Sequence, residues 1–242
     1  MNAIKIDNLT KRYGDVVAVD NLSLCIKEGE VFSLLGINGA GKTTTIKMLC
    51  GLTLPTSGDA FLFGHSVCDD VAKVKALIGV SPQETAVATG LTARENLQLI
   101  CGVYGFDRAK TESKIKDLVA LLQLGEVMDK KAGKLSGGWQ RRLSIAMALI
   151  SEPRILFLDE PTLGLDVIAR SDLWDVIRGL KGKATIILTT HYMEEAESLS
   201  DRVGIMKGGA LIACDTVEGI KMQAGTQSFE QAFVRIVKGV NQ

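Results

Sequence analysis

Apolar and polar residues alternate near the start of the chain, whereas further along it apolar residues run without interruption. Alternation places Ile4 and Ile6, and then Leu22, Leu24 and Ile26, on one side of their segments, which predicts half-buried strands of an antiparallel sheet. Uninterrupted runs are typical of parallel strands that are covered on both faces. Three such runs are Val31-Phe32-Ser33-Leu34-Leu35, Ile155-Leu156-Phe157-Leu158 and Ile186-Ile187-Leu188. Together the two patterns predict an α/β fold with a parallel-sheet core and an antiparallel β subdomain.

Between about residues 86 and 150 the apolar positions recur at helical spacing. Thr92 and Glu95 have the spacing of a capping box, which predicts that a helix begins there. The predicted apolar stripes are Leu97, Ile100 and Val103 in this helix, and Ile115, Leu118, Val119 and Leu122 in the next. Gly125 is the predicted end of the second helix. The pattern indicates an α-helical subdomain inserted into the α/β scaffold.

Two further elements are predicted towards the end of the sequence. Lys207-Gly208-Gly209-Ala210 separates two apolar segments and predicts a β-hairpin. Residues on one face of a final helix are Phe229, Phe233, Ile236 and Val237. Trp174 is assigned to the core side of a helix rather than to a site. Because we find neither an internal repeat nor a linker rich in Pro, Gly or Ser, we treat residues 1–242 as one domain.

Composition then narrows the function classes. The 242 residues include 28 Lys and Arg and 28 Asp and Glu, and this balance argues against a protein that binds nucleic acid by broad phosphate neutralisation. The longest apolar run, 145–150, is far shorter than the roughly 20 residues of a membrane-spanning helix, and the first residues lack the apolar segment of a secretory signal. We therefore expect a cytoplasmic protein. The five cysteines show no C-x-x-C pair, so we expect reduced thiols and no zinc site.

The segment Gly36-Ile37-Asn38-Gly39-Ala40-Gly41-Lys42-Thr43 has the spacing G-x-x-x-x-G-K-[ST]. Its glycines allow successive backbone N–H groups to surround a polyphosphate, and the helix predicted after it adds the positive end of its dipole. Lys42 would neutralise the charge of the β- and γ-phosphates, and Thr43 would offer its hydroxyl to Mg²⁺. The alternative is a glycine-rich turn with a surface lysine. We favour the phosphate loop because the predicted strand, loop and helix follow in the required order.

Asp159 and Glu160 follow a predicted buried strand. Parallel strands deliver such groups to their carboxyl edge, where these folds bind ligands. Asp159 suits a Mg²⁺ ligand, and Glu160 suits the group that polarises an attacking water. Two acids at a strand end are otherwise common in solvated turns and helix caps. The phosphate loop elsewhere in the chain favours the catalytic interpretation.

The segment Leu135-Ser136-Gly137-Gly138-Trp139-Gln140 opens another predicted helix. Its serine and glycines form a second anion-binding helix N-terminus, which suits a protein whose subunits share nucleotides. This segment resembles the signature motif of the ATP-binding subunits of ABC transporters. Trp139 is a departure, since the family commonly has Gln or Met there. The resemblance covers essentially the whole chain and implies a P-loop NTPase core.

The resemblance also assigns four residues that the spacing alone does not distinguish. Tyr13 resembles the aromatic residue that stacks on adenine, Gln83 the glutamine that touches Mg²⁺ and the attacking water, Asp166 an aspartate of the dimer interface, and His191 the histidine that contacts the γ-phosphate. Without the resemblance, these residues would be interpreted as ordinary structural residues at strand ends and in loops.

The expected roles are as follows. The expected nucleotide-binding residues are Tyr13, Gly36, Asn38, Gly39, Ala40, Gly41, Lys42, Thr43, Thr44, Ser136, Gly137, Gly138 and Asp166. The expected catalytic residues are Lys42, Gln83, Glu160 and His191. The expected Mg²⁺ ligands are Thr43, Gln83 and Asp159.

The resemblance implies ATP and Mg²⁺ as cofactors, and ATP hydrolysis that powers transport through a separate integral-membrane permease. It implies a homodimer or a heterodimer of ATP-binding subunits, peripheral on the cytoplasmic face of the cell membrane, without nucleic acid. The segments 160–170, 191–197 and 228–233 resemble the branch that exports drugs, ions, lipids or polysaccharides through ABC-2-type permeases. Two alternatives are a soluble ABC ATPase that acts on ribosomes or DNA, and a P-loop switch or kinase without a membrane partner.

Overall fold

Two β-sheets organise the protein, whose computed structural model describes residues 1–239. The strands are β1 (Asn2–Tyr13), β2 (Val16–Lys27), β3 (Val31–Gly36), β4 (Ser57–Leu62), β5 (His65–Ser66), β6 (Ile78–Ser81), β7 (Ile155–Asp159), β8 (Thr185–Thr190), β9 (Arg202–Lys207) and β10 (Ala210–Asp215). The helices are α1 (Lys42–Leu49), α2 (Val71–Leu77), α3 (Ala93–Val103), α4 (Arg108–Leu122), α5 (Gly137–Leu149), α6 (Val167–Leu180), α7 (Met193–Leu199), α8 (Val217–Gln223) and α9 (Phe229–Lys238).

The larger sheet has the strand order β10-β9-β3-β8-β7-β6. Its pairs are parallel except that of β10 with β9. Successive side chains of β7 enter two different clusters of buried residues: Leu156 and Leu158 pack with α3 to α6, whereas Ile155 and Phe157 pack towards the smaller sheet. A strand that is covered on both faces needs apolar residues at every position. The predicted α/β fold with a parallel core is therefore confirmed.

The smaller sheet is antiparallel, with the order β2-β1-β4-β5. Ile4 pairs with Ile26, and Ile6 pairs with Leu24, so the alternating apolar residues share one face. All four are buried. The predicted antiparallel β subdomain is present.

Helices α3, α4 and α5 lie between β6 and β7, in the stretch where the sequence predicts helices. The capping box is confirmed: the Thr92 hydroxyl accepts from the Glu95 N–H at 3.2 Å, and the Thr92 N–H donates to the Glu95 carboxylate at 2.7 Å. That residues 1–242 form one domain stays a prediction.

Two details of this region were predicted wrongly. Val103 is 75% exposed, because the buried side of α3 advances in steps of four residues through Ala93, Leu97 and Cys101. Helix α4 ends before Gln123, which takes the left-handed backbone conformation with φ 56°. Its neighbour Leu124 is fully buried, so the chain turns inward at once rather than at the predicted Gly125.

Helix α5 approaches the sheet more closely than a side chain would permit. A Cβ atom on Gly79 of β6 would overlap the carbonyl oxygen of Ala148 and lie 2.9 Å from Pro153 Cγ. The hydroxyls of Ser81 and Ser144 are 2.9 Å apart and join the same two elements. The close contact fixes the position of α5 against the edge strand β6.

The hairpin and the last helix are present as predicted. Strands β9 and β10 are joined by Gly208 and Gly209, both with positive φ. The Gly209 N–H donates to the carbonyl of Ala40 at 3.1 Å, and the Asp20 N–H donates to the carbonyl of Gly209 at 2.9 Å. The hairpin turn therefore touches both the glycine-rich loop and strand β2.

Among residues 1–239, no helix has both the length and the apolar character needed to cross a bilayer.

Candidate functional site

The glycine-rich loop connects the buried strand β3 to helix α1, which begins at Lys42. Gly41 has φ 103°, and a Cβ atom there would overlap the carbonyl oxygen of Ala18. A side chain on Gly36 would meet Met206 and Ala40. These two positions need glycine because the loop is packed tightly on its protein side. Its backbone can therefore present N–H groups to an anion on the other side.

Lys42 points back along this loop. Its side chain is 6% exposed, and its ammonium group donates to the carbonyls of Gly36 at 2.6 Å and Ile37 at 3.4 Å. Lys42 Nζ is also 3.4 Å from Glu160 Oε1. The loop and the acid pair are thus joined by a buried ion pair, although the sequence places them far apart.

The two acids after the buried strand have different partners. The Thr43 hydroxyl donates to Asp159 Oδ1 at 3.3 Å, and the Thr189 hydroxyl also donates to this oxygen. Asp159 is 4% exposed, so these donors offset part of the cost of burying its charge. The carboxylate and hydroxyl oxygens of Asp159 and Thr43 are the ligand type that Mg²⁺ takes.

Glu160 adopts a left-handed backbone conformation, with φ 48°, which residues other than glycine rarely take. Its N–H donates to the carbonyl and the hydroxyl of Thr189, at 3.1 and 3.0 Å. Its carboxylate lies between Lys42 and His191, with His191 Nδ1 2.8 Å from Glu160 Oε2. Such strain persists where the surroundings fix it and is frequent at functional sites.

A cleft of about 580 Å³ opens over these groups. Its lining includes Tyr13, which is half exposed, and the exposed Gln83. Lys11 Nζ is 5.0 Å from the centre of the Tyr13 ring. Of the other predicted site residues, those that line the cleft are Asn38, Gly39, Ala40, Gly41, Lys42, Thr43, Thr44, Glu160 and His191. The structure thus gathers most of the predicted site at one place.

Six predicted residues do not line this cleft in the described part of the chain: Gly36, Asp159, Ser136, Gly137, Gly138 and Asp166. Ser136, Gly137 and Gly138 form the start of α5, and Asp166 precedes α6, where its carboxylate accepts from the Ala169 N–H at 2.9 Å. A Cβ atom on Gly138 would be 3.2 Å from that of Ala169, so the two helix starts lie side by side. Ser136 is exposed, and within residues 1–239 its side chain makes no capping hydrogen bond.

Sequence reasoning missed three buried polar residues around the site: Thr189, Arg141 and Glu195. Thr189 binds both acids, and its signal in the sequence is the polar end of the apolar run that precedes His191. Arg141 donates hydrogen bonds to the backbone carbonyls of Pro82, Gln83 and Glu160. Burial lowers the pKa of Arg141, although the charges of nearby carboxylates act in the opposite direction.

Glu195 lies on α7, the helix that follows β8 in the chain. Burial raises the pKa of its carboxyl group; the nearby hydroxyls of Thr190 and Thr162 act against this shift, and so does the Trp174 indole, which donates to it at 3.2 Å. The negative charge of Glu160 raises the pKa further. Trp174 packs against the core as predicted and also contacts this acid.

Among residues 1–239, no group of three or more His, Cys, Asp or Glu side chains is arranged so that it could hold a metal ion.

Comparisons with known proteins identify similar chains. The family described as ABC transporter matches residues 19–163. The probable multidrug ABC transporter ATP-binding protein YbhF of Escherichia coli (strain K12) is 38% identical over 97% of this chain, which spans 41% of that protein. The Nod factor export ATP-binding protein I of Burkholderia lata is 43% identical over 87% of this chain and 69% of its own length. The dimeric structure of a post-hydrolysis state of the ATP-binding cassette MJ0796 bound to ADP and Pi has a TM-score of 0.79 at 26% identity, covering 88% of this chain and 98% of that chain.

Replacing Glu195 by Gln should change the pH dependence of stability. Because the pKa of Glu195 is raised in the folded protein, the folded state binds its proton more tightly than the unfolded state. The free energy of unfolding therefore falls as the pH rises from the ordinary carboxyl pKa of about 4.3 through the folded value. Glu195→Gln cannot ionise, so its Tm should fall less than that of the parent as the pH rises above the ordinary carboxyl pKa of about 4.3.

The measurement is thermal unfolding, followed by circular dichroism at a series of pH values. Glu194→Gln, at an exposed position on the same helix, is the control and should follow the parent. Parallel Tm curves for Glu195→Gln and the parent would contradict the assignment.

Proposed function

Because this chain is a member of the ABC transporter family, we propose that it is an ATP-binding and ATP-hydrolysing subunit that powers the export of a solute through a separate membrane permease. The observation that carries the proposal is the convergence of Lys42, Glu160 and His191 on one cleft beside the glycine-rich loop. A cation, a carboxylate and an imidazole around a helix N-terminus are suited to binding a triphosphate and to activating water against it.

The loop Gly36–Gly41 would hold the ATP phosphates, and the ring of Tyr13, which lines the same cleft, would contact the adenine. Thr43 and Asp159 would hold Mg²⁺, with Gln83 on the cleft wall as a further oxygen ligand. The ion would supply neutralisation of the β- and γ-phosphate charge. The partly buried contact between Thr43 and Asp159 fits this donor set, since the two oxygens already lie within hydrogen-bond distance.

The contacts of Glu160 suggest how hydrolysis begins. Its carboxylate contacts both Lys42 and His191. A γ-phosphate would compete for these two groups, because it carries more negative charge than a carboxylate. Glu160 is then free to accept a hydrogen bond from water and to polarise it, while Lys42 and His191 hold the phosphate.

The start of α5 suggests a second protomer. Ser136, Gly137 and Gly138 present N–H groups at an exposed helix N-terminus, away from the cleft of their own chain. Such an N-terminus favours a second anion. The proposal is that it completes the nucleotide site of a second ATP-binding subunit, identical or similar, with Asp166 at the same interface. The dimeric state of the MJ0796 cassette supports this arrangement.

An apolar groove of about 460 Å³ lies on a different surface, between the core and the helical region. Its lining includes Leu52, Val103 and Tyr104, which are 65%, 75% and 49% exposed, and Leu99 nearby is 51% exposed. An exposed apolar patch of this kind marks an interaction site. We propose that this groove binds the permease and that the chain lies on the cytoplasmic face of the cell membrane. The name of the Nod factor export ATP-binding protein I supports export.

Replacing Glu160 by Gln should leave ATP binding intact and slow turnover at least ~10²-fold, because it removes the group that polarises water. Binding is measured by titration with a fluorescent ATP analogue, and turnover by release of phosphate. Glu126→Gln, at an exposed position, is the control. Near-normal turnover in Glu160→Gln would remove Glu160 from this role.

Replacing Ser136 by Arg should preserve ATP binding by the monomer and prevent closure of the dimer, since a long cation occupies the start of α5. Gel filtration with ATP, in the Glu160→Gln background that retains nucleotide, measures closure. Ser113→Arg, at an exposed position on α4, is the matched control. Unimpaired ATP-dependent dimers of Ser136→Arg would contradict the shared site.

Replacing both Leu99 and Val103 by Glu should abolish co-purification of an integral membrane protein from detergent-solubilised membranes. The reason is that charges in an apolar interface are costly to bury. ATP binding should be unchanged, because neither residue lines the nucleotide cleft within residues 1–239. Met222→Glu, at an apolar position that is 79% exposed on α8, is the control. Retention of the membrane protein by the double variant would refute the assignment of this groove.

A further inference from the structure

Arg141 connects three parts of the site through one buried side chain. It lies on α5, one turn after Gly138, and is 4% exposed. Its Nη1 atom donates to the carbonyl of Pro82 at 2.6 Å and to the Ser81 hydroxyl at 3.5 Å. Its Nη2 atom donates to the backbone carbonyls of Gln83 at 2.7 Å and Glu160 at 3.3 Å. A single planar group thus contacts the chain immediately after β6 and immediately after β7.

The segment after β6 needs such a contact. β6 is an edge strand, and its last pair with β7 joins Ser81 to Leu158. Pro82 has no N–H group, so it cannot extend the ladder. Beyond the end of the sheet, the carbonyls of Pro82 and Gln83 accept hydrogen bonds from Arg141 instead of from a neighbouring strand. They therefore set the backbone that carries the exposed Gln83 side chain.

The backbone of Glu160 is held by the same guanidinium. Its left-handed conformation is unfavourable for a residue with a side chain. Its carbonyl accepts from Arg141 and also from the Leu163 N–H at 3.2 Å. Arg141 therefore helps to fix the strained turn from which the Glu160 carboxylate projects towards Lys42 and His191.

The energetic cost of Arg141 argues against simple space filling. Its four acceptors within residues 1–239 are all uncharged. Burial lowers its pKa despite the nearby negative charges of Asp159, Glu195 and Glu160, so desolvation outweighs their attraction. Apolar side chains of similar volume fill such spaces at a lower cost. What they cannot supply is a rigid fork of donors.

We propose that Arg141 is a positioning residue for hydrolysis, which fixes Gln83 relative to Glu160 and ties both to the helix that begins at Ser136. This inference rests on the proposed ATPase function. A displacement of α5 moves the guanidinium and, with it, the carbonyls of both residues. Small misplacements of such groups cost up to about 10²-fold in rate.

Lysine keeps the charge but offers a point donor instead of a fork, so Arg141→Lys should hold one of the two chain segments and release the other. Arg142→Lys is the matched control. Arg142 is the next residue and 7% exposed, but it binds Gln123 at 3.3 Å and Asp172 at 3.2 Å and stacks near Trp139. Arg142→Lys thus removes a similarly buried guanidinium that binds other partners.

The first measurement is steady-state ATP hydrolysis by the full chain. We expect Arg141→Lys to lower kcat at least ~10-fold with KM for ATP changed less than about threefold, because it disturbs the reacting geometry rather than ground-state binding. In a Gln83→Ala background the same substitution should cost less than in the parent, since the part of its effect that acts through Gln83 is already lost. Arg142→Lys should give the same relative effect in both backgrounds.

A second measurement does not depend on hydrolysis. Amide hydrogen exchange of peptides covering residues 82–88, without nucleotide, should be faster in Arg141→Lys than in the parent and in Arg142→Lys. Titration with a fluorescent ATP analogue checks the proposed function separately: a parent that binds no ATP would refute that function, while the exchange result would still test the positioning of the chain.

Three results would overturn the role of Arg141. The first is an unchanged kcat in Arg141→Lys, and the second is full additivity with Gln83→Ala. The third is unchanged exchange over residues 82–88. Arg141→Gln, which keeps one donor group without charge, is the second variant. If neither variant folds, Arg141 serves the stability of the fold and the positioning role is refuted.

Discussion

Parallel pairing of β3, β8 and β7 is the constraint on which the site depends. The register sets Leu35 beside Thr190 and Asp159 beside Thr189, so the chain leaves these strands at one edge of the sheet. Groups that are 116 positions apart in the sequence, Thr43 and Asp159, are thereby joined by a hydrogen bond. The same edge holds buried charges of both signs. Removing one of them leaves its partner buried and uncompensated, which is the costly way to break such a pair.

The features predicted correctly from the sequence are those that depend on local patterns of residues. Strands covered on two faces show as continuous apolar runs, the capping box at Thr92 is a contact between near neighbours, and the glycine-rich loop needs particular residues at Gly36 and Gly41. Each of these features is decided within about ten residues. The α/β fold and most of the cleft follow from them.

Long-range contacts decided the rest. Arg141 reads in the sequence as one of two basic residues after a glycine pair, and only the approach of α5 to β6 shows that it binds the chain after two strands. The exposure of Val103 and the turn at Gln123 depend on what packs against α3 and α4. In the same way, Glu195 looks like one acid among several on α7 until its burial is known.

The hairpin turn at Gly208 and Gly209 has a consequence for protein engineering. A two-residue turn on an edge hairpin is ordinarily a convenient place for an epitope tag or for new chain termini. Here the Gly209 N–H binds the carbonyl of Ala40, inside the glycine-rich loop. An insertion would pull on the loop from behind, so a tag or a circular permutation belongs elsewhere on the surface.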